Sequence, residues 1–180
     1  MRVIILDVNG VIMEKADDLL IRRAMAEYGP RKTLSLIASY RFGKLTQSQR
    51  NFLHHLVAWA QDTVGYMPQA LNTISALHRE SDTKIKICSN FASKTDADER
   101  LIARLTEDTK IVPENITLLS VGESKLSYYQ QERMAIRKGS LWVLDDSKRN
   151  IRDAQKAGAD HALLVNARKG LVPFAQNLSR

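Results

Sequence analysis

The chain of 180 residues contains a single cysteine, Cys88, which excludes an internal disulfide and a metal centre built on several thiolates. Cys88 closes the alternating run KIKIC and reads as a structural strand residue. Long apolar stretches are also missing, and none approaches the length of a membrane span. The basic residue at position 2 is followed by a short apolar run broken by Asp7, unlike a secretory signal. A soluble, cytoplasmic protein with no membrane partner is therefore expected. Histidine is scarce too: His54 and His55 point to different parts of a helix, and neither His78 nor His161 completes a metal or catalytic constellation. No motif interleaves aromatic and basic residues as a nucleic-acid reader would.

What is present is enough apolar material for a substantial core, 44% of the residues, at a length close to one domain. The 27 basic against 20 acidic side chains give a formal charge of +7. That excess attracts phosphate esters, nucleic acid or anionic surfaces without choosing among them.

Residues Met1 to Val8 form a nearly continuous apolar strand pattern, and from Ala16 to Tyr28 the apolar positions recur at helical spacing. Gly29 and Pro30 punctuate that helix, a short helix around Leu34 to Tyr40 follows, and Thr46 with Gln49 forms a capping-box signature for the next. Pro68 suits the first turn of a further helix. The strand Lys84 to Cys88 ends at Ser89 and Asn90, and Thr95 with Asp98 repeats the capping-box spacing. Apolar segments at Ile116 to Leu119, Leu141 to Leu144 and His161 to Val165 alternate with helical patterns around Leu126 to Ile136 and Asn150 to Ala157. The expected architecture is α/β: a Rossmann-like parallel sheet with helices on both faces and an inserted helical cap. Residues 1–13 and 78–180 form the core in this reading, and residues 14–77 the cap. The last ten residues carry no clear pattern.

Two strand ends carry acids: VIILDVNGV delivers Asp7, Asn9 and Gly10 into a turn, and LWVLDDS ends in Asp145 and Asp146. Side by side in a parallel sheet, such ends crowd negative charge into one crevice, a cost that a divalent cation relieves. Each residue also has a plainer reading. Asp7 either accepts turn hydrogen bonds or attacks phosphorus as a carboxylate. Asp145 and Asp146 either open a helix or hold magnesium. Ser89 and Asn90 either cap a turn or bind a phosphate oxygen. Lys125 is either a solvated helix lysine or the charge that compensates Asp7 and a phosphoryl group. Gly10 either serves a turn or lets the backbone approach a phosphate. Tyr40, Phe42, Trp59 and Tyr66 lie in helical apolar stripes and are expected to pack in the core.

Taken together, these pieces resemble the haloacid dehalogenase superfamily of hydrolases, in its phosphatase-like branch with a helical cap after the first strand. The matching residues are Asp7-Val8-Asn9-Gly10-Val11, Ser89-Asn90, Lys125, and Asp145-Asp146-Ser147 followed by Asn150-Ile151 and Ala157-Gly158; GKLT at Gly43 to Thr46 is similar to a recurring start of a cap helix. The resemblance implies that Asp7 is the nucleophile, that Ser89 binds phosphate, and that Lys125 stabilises the aspartyl-phosphate. It also implies a magnesium site of Asp7, the backbone carbonyl of Asn9, Asp146 and a supporting Asp145.

The chain departs from this family at two positions. Family phosphatases carry a second aspartate where this chain has Asn9, and its carboxamide cannot exchange a proton near neutral pH. The family lysine is commonly followed by proline, where this chain has Leu126. The leading expectation is a magnesium-dependent hydrolase of small phosphomonoesters, impaired at Asn9. The alternative is a catalytically degenerate protein that binds a phospholigand or regulates, and a haloacid dehalogenase ranks third. The expected partner is a small phosphorylated molecule, while Arg22, Arg23, Arg31, Lys32 and Arg41 leave nucleic acid or a protein partner as a weaker expectation.

Overall fold

The computed structural model describes residues 1–174, with Arg41 by its backbone only. Of the last ten residues, 175–180 lie outside the described residues. Runs rich in Val, Ile and Leu form five strands: β1 (Arg2–Leu6), β2 (Thr83–Ala92), β3 (Ile116–Ser120), β4 (Ser140–Asp145) and β5 (His161–Leu164). Every pairing is parallel, and the spatial order is β3-β2-β1-β4-β5. The chain thus winds one way from β1, then returns to its other side, which opens a crevice at the carboxyl ends of the central strands.

Alternation along the strands sends side chains to both faces of the sheet. Ile4 and Leu6 join Ile85, Ile87 and Leu144 in one cluster, while Val3 and Ile5 join Cys88, Leu141 and Val143 in another. Between β1 and β2 lie α1 (Asp17–Tyr28), α2 (Pro30–Arg41), α3 (Gln47–Thr63) and α4 (Ala70–His78). The later helices are α5 (Asp96–Thr109), α6 (Leu126–Ala135) and α7 (Lys148–Lys156). Helices α3, α4 and α5 cover the first face through Val57, Ala60, Ile74, Leu77, Leu101 and Leu105. Tyr129 of α6 and Ala154 of α7 cover the second. A third, smaller cluster of Ala24, Leu36 and Leu56 ties α1 and α2 to α3.

Local chemistry sets the boundaries. Gly29, at φ +77°, ends α1 and turns the chain directly into α2, whose first residue is Pro30. At the start of α3, the Thr46 hydroxyl accepts from the Gln49 amide while the Gln49 side chain accepts from the Thr46 amide, a complete capping box. The second expected box is half formed. Thr95 accepts from Ala97, but the Asp98 carboxylate accepts instead from Ser93 and Lys94 and from the Gln61 side chain.

Three expectations shift. Strand β1 stops at Leu6 rather than Val8 because the Val8 carbonyl accepts from Val11, Ile12 and Met13, curling the chain at once. Strand β2 continues past Ser89 to Ala92 with a register shift against β3. Pro68 stays outside α4, separated from it by Gln69 in the left-handed region at φ +60°.

Candidate active site

The parallel register aligns Leu6 of β1 with Leu144 of β4 and Ile87 of β2. The next residues on the first two strands are therefore neighbours: Asp7 donates its backbone N–H to the Leu144 carbonyl. Asp145 follows Leu144, and Ser89 stands two residues beyond Ile87. The sheet thus collects, at one end, residues from strands far apart in sequence.

Lys125, the residue preceding α6, reaches this cluster fully buried. Its Nζ lies 3.0 Å from Asp7 Oδ1 and 2.7 Å from Asp145 Oδ2. Burial works to lower the Lys125 pKa, but the charges of Asp7 and Asp145 outweigh it and hold the ammonium charged. Asp145 also accepts from the Ser147 amide at 2.8 Å and from Asn150 Nδ2 at 3.1 and 3.0 Å. Burial, helped by the charge on Asp7, still raises Asp145 to about 6. Lys125 is the fixed cation here, and the rise in Asp145 expresses first the cost of burying its charge and then that of crowding Asp7 beside it.

Asp146 is raised as well, first by burial, although Lys15 Nζ donates to its Oδ2 at 2.8 Å. Asp7, Asp145 and Asp146 offer carboxylate oxygens that lie within 4.8 Å of one another. Hard oxygen donors converging at this spacing suit a divalent cation such as magnesium, which prefers carboxylates and water. The residues present fit such an ion, and the two lysines already on the carboxylates leave part of the negative charge uncompensated. Cys88 beneath them is not a competing nucleophile, because burial pushes its thiol up to about 12.

Both polar contacts of Asp7 are made by Oδ1, to the Val8 amide at 2.9 Å and to Lys125, which leaves Oδ2 free among the described residues. Ser89 is 1% exposed, and its hydroxyl is buried without a hydrogen-bond partner among the described residues. An unpaired buried hydroxyl costs about 1–3 kcal/mol unless a ligand satisfies it. Asn90 lines the same cavity, and its Nδ2 donates to the Ser120 and Glu123 carbonyls, tying β2 to the loop after β3.

Gly10 also has a different task from the one expected. Its N–H donates to the Met13 carbonyl, its φ is +80°, and a Cβ there would stand 2.7 Å from Asp146 Oδ2. The glycine admits the Asp146 carboxylate rather than presenting a free amide to phosphate. Asn9 accepts from the Ala16 amide through Oδ1 at 2.8 Å, so its side chain fastens the start of α1 to the end of β1.

Asp7, Asn9, Ser89 and Asp146 line one side of a cavity of about 510 Å³. Residues of α1, α2 and α3 line the rest, among them Leu20, Leu36, Tyr40 and Val57. Tyr40 therefore faces the cavity instead of the core, and Phe42 is exposed, whereas Trp59 and Tyr66 pack against the main core as expected. Sequence reasoning missed Lys15 as a partner of Asp146, and gave Asn150 no role although it anchors Asp145. Lys15 sits on an irregular segment with no periodic signal. Asn150 lies five residues beyond Asp145, near the start of α7, a spacing that a first-turn side chain uses to reach back to a strand end.

Solved structures share this fold. A conserved haloacid dehalogenase-like protein from Agrobacterium tumefaciens superposes with a TM-score of 0.60 at 16% identity, over 98% of both chains. The chain has the haloacid dehalogenase-like fold. A hydrolase of the haloacid dehalogenase-like family from Streptococcus pneumoniae gives 0.60 at 15% identity, covering 98% of this chain and 90% of its own. A hydrolase from Pseudomonas syringae gives 0.56 at 16% identity, over 98% and 99%. No family model and no curated protein matches the sequence. In the haloacid dehalogenase-like fold of this chain, the acidic cluster lies at the carboxyl end of the sheet. Among the described residues, no helix is long and apolar enough to cross a membrane.

Proposed function

We propose that this chain is a cytoplasmic phosphatase of the haloacid dehalogenase superfamily, a magnesium-dependent hydrolase of small phosphomonoesters. The observation that carries the reading is the buried Lys125 held between Asp7 and Asp145, with Asp146 beside them. A structural ion pair needs one acid; a buried lysine shared by two acids, with a third acid and the orphaned Ser89 hydroxyl beside them, suits a site that receives a charged ligand.

Asp7 Oδ2 attacks phosphorus, the bond from phosphorus to the leaving oxygen breaks, and an aspartyl-phosphate forms on Asp7. Lys125 holds the opposite carboxylate oxygen and fixes the attacking geometry, while Ser89 donates its free hydroxyl to a phosphoryl oxygen. Asp7, Asp145, Asp146 and the Asn9 carbonyl would hold magnesium, which supplies positive charge to the phosphoryl oxygens when bound. Water then attacks the aspartyl-phosphate, releasing phosphate and regenerating Asp7. Asn9 can neither protonate the leaving oxygen nor activate that water, so both protons are exchanged with solvent. Helices α1 and α2, joined to α3, act as the cap that limits water at the crevice.

Binding without turnover is the second reading, and the Asn9 carboxamide favours it. A metal-independent dehalogenase ranks third, because paired Asp145 and Asp146 serve no purpose in carbon–halogen displacement. Magnesium-dependent phosphate release from a panel of phosphomonoesters separates these, with Asp7→Ala and Asn9→Asp alongside. Release lost in Asp7→Ala supports the phosphatase. Ligand binding with no release, even in Asn9→Asp, supports the binding protein.

A further inference from the structure

We infer that the cavity selects phosphomonoesters of aryl alcohols with an apolar, uncharged body, an inference that rests on the phosphatase reading. Two independent features of the chain lead there, the wall facing the acids and the side chain at position 9.

The wall comes from three helices: Leu20 and Ala24 of α1, Leu36 and Ile37 of α2, Leu53 and Val57 of α3. Of its polar members, Thr33 spends its hydroxyl on the Gly29 carbonyl at 2.9 Å, Asp17 is paired with Lys15, and Tyr40 presents a mostly apolar ring with one hydroxyl. Glu123 and Arg149 are exposed and sit at the rim, and Lys15 is held by Asp146 and Asp17. A polyol body seated against this wall would give up water for little beyond the single Tyr40 hydroxyl, losing about 1–3 kcal/mol for each hydroxyl left unsatisfied. An apolar body instead gains roughly 25 cal/mol for each Å² it buries. The cavity volume, about 510 Å³, leaves room for a bicyclic ring system beside the phosphate.

Position 9 constrains the same ester from its other end. With no proton donor there, the leaving oxygen must depart carrying most of its charge. A phenol, with a pKa of about 10, tolerates this far better than an aliphatic alcohol whose pKa is near that of water, about 15.7. The apolar wall and the missing acid therefore ask for one substrate class.

The test compares phenyl phosphate, 1-naphthyl phosphate and glycerol 2-phosphate with magnesium, on the protein as it stands and on Asn9→Asp and Ile37→Asn. Phenyl and naphthyl leaving groups are similar in acidity, so their difference reports the wall; the alkyl ester reports position 9. The expected result is a KM for 1-naphthyl phosphate about 10-fold below that for phenyl phosphate, and a kcat for glycerol 2-phosphate at least about 100-fold lower. Ile37→Asn should erase the naphthyl advantage, and Asn9→Asp should narrow the aryl–alkyl gap. Ile37→Thr serves in its place should circular dichroism find Ile37→Asn unfolded. Equal KM for the two aryl esters, or glycerol 2-phosphate turned over as fast as they are, overturns the inference and leaves the phosphatase reading standing. No phosphate release from any ester in any variant overturns both.

Discussion

Lys15 Nζ donates a 2.8 Å hydrogen bond to Asp146 Oδ2 across 131 positions of sequence. One of the three clustered carboxylates thus already carries a cation that belongs to the chain, and a divalent ion bound there must share or displace it. Lys15 is 42% exposed, so the contact is worth no more than about 1 kcal/mol. Lys15→Ala should therefore tighten magnesium or manganese binding by up to about 5-fold, read as a lower Kd by isothermal titration calorimetry. An unchanged or weaker affinity would mean that Lys15 does not compete for the site.

Lys125 has the opposite weight. Its removal leaves Asp7 and Asp145 buried side by side with no cation between them, a loss typically of about 3–5 kcal/mol. Lys125→Met preserves most of the volume, so a large fall in the urea midpoint of the metal-free protein reports charge rather than packing. Magnesium should restore part of that loss. A midpoint within experimental error of the parent would show that the two acids do not repel one another as their geometry requires.

Burial of these acids, together with their crowding, sets a pH dependence. Asp145, raised to about 6, and Asp146, raised in the same direction, hold protons more tightly folded than unfolded. Their contribution to stability is complete below the unfolded carboxyl pKa, about 4, and is lost as pH rises through the folded values. Lys125, also raised, gives no slope in this range, since its contribution persists until pH rises through its own folded pKa. Magnesium binds the ionised carboxylates and offsets the loss. The magnesium-induced rise in Tm should be small at pH 4.5 and grow through pH 6 to 7; a pH-independent rise would place the ion elsewhere.

Much of this was legible in the chain because the sheet writes its periodicity into short apolar runs. Five such runs, the first four each followed by a helical pattern, were enough to place Asp7 and Asp145 on strand ends, and the parallel order then makes them neighbours. Lys125 and Ser89 were legible as residue types at the right strand and helix ends, though only the fold brings them to Asp7. What the sequence could not express were contacts made by irregular backbone. The pairing of Lys15 with Asp146 depends on the turn that starts when the Val8 carbonyl takes three donors. Gly10 signals a turn whether it faces a ligand or a carboxylate. Asn90, alike in type to a ligand-binding amide, is claimed by two loop carbonyls whose positions no local pattern specifies. Tyr40 fits a helical stripe, yet that stripe faces a cavity rather than a core.

Ser89 offers a test in which stability and binding move in opposite directions. Its hydroxyl is buried and has no partner among the described residues, so Ser89→Ala removes an unsatisfied polar group at almost no change in volume. A residue kept for packing or capping would lose stability on this change. One kept for a ligand should gain it, by up to about 1–3 kcal/mol, while losing affinity for phosphate. The paired measurements are the urea midpoint without ligand and the inhibition constant of inorganic phosphate during phenyl phosphate hydrolysis. A raised midpoint with inhibition weakened by about 10-fold fits one lost hydrogen bond to a charged oxygen. A lowered midpoint with unchanged inhibition would return Ser89 to the structural role that any strand serine could fill.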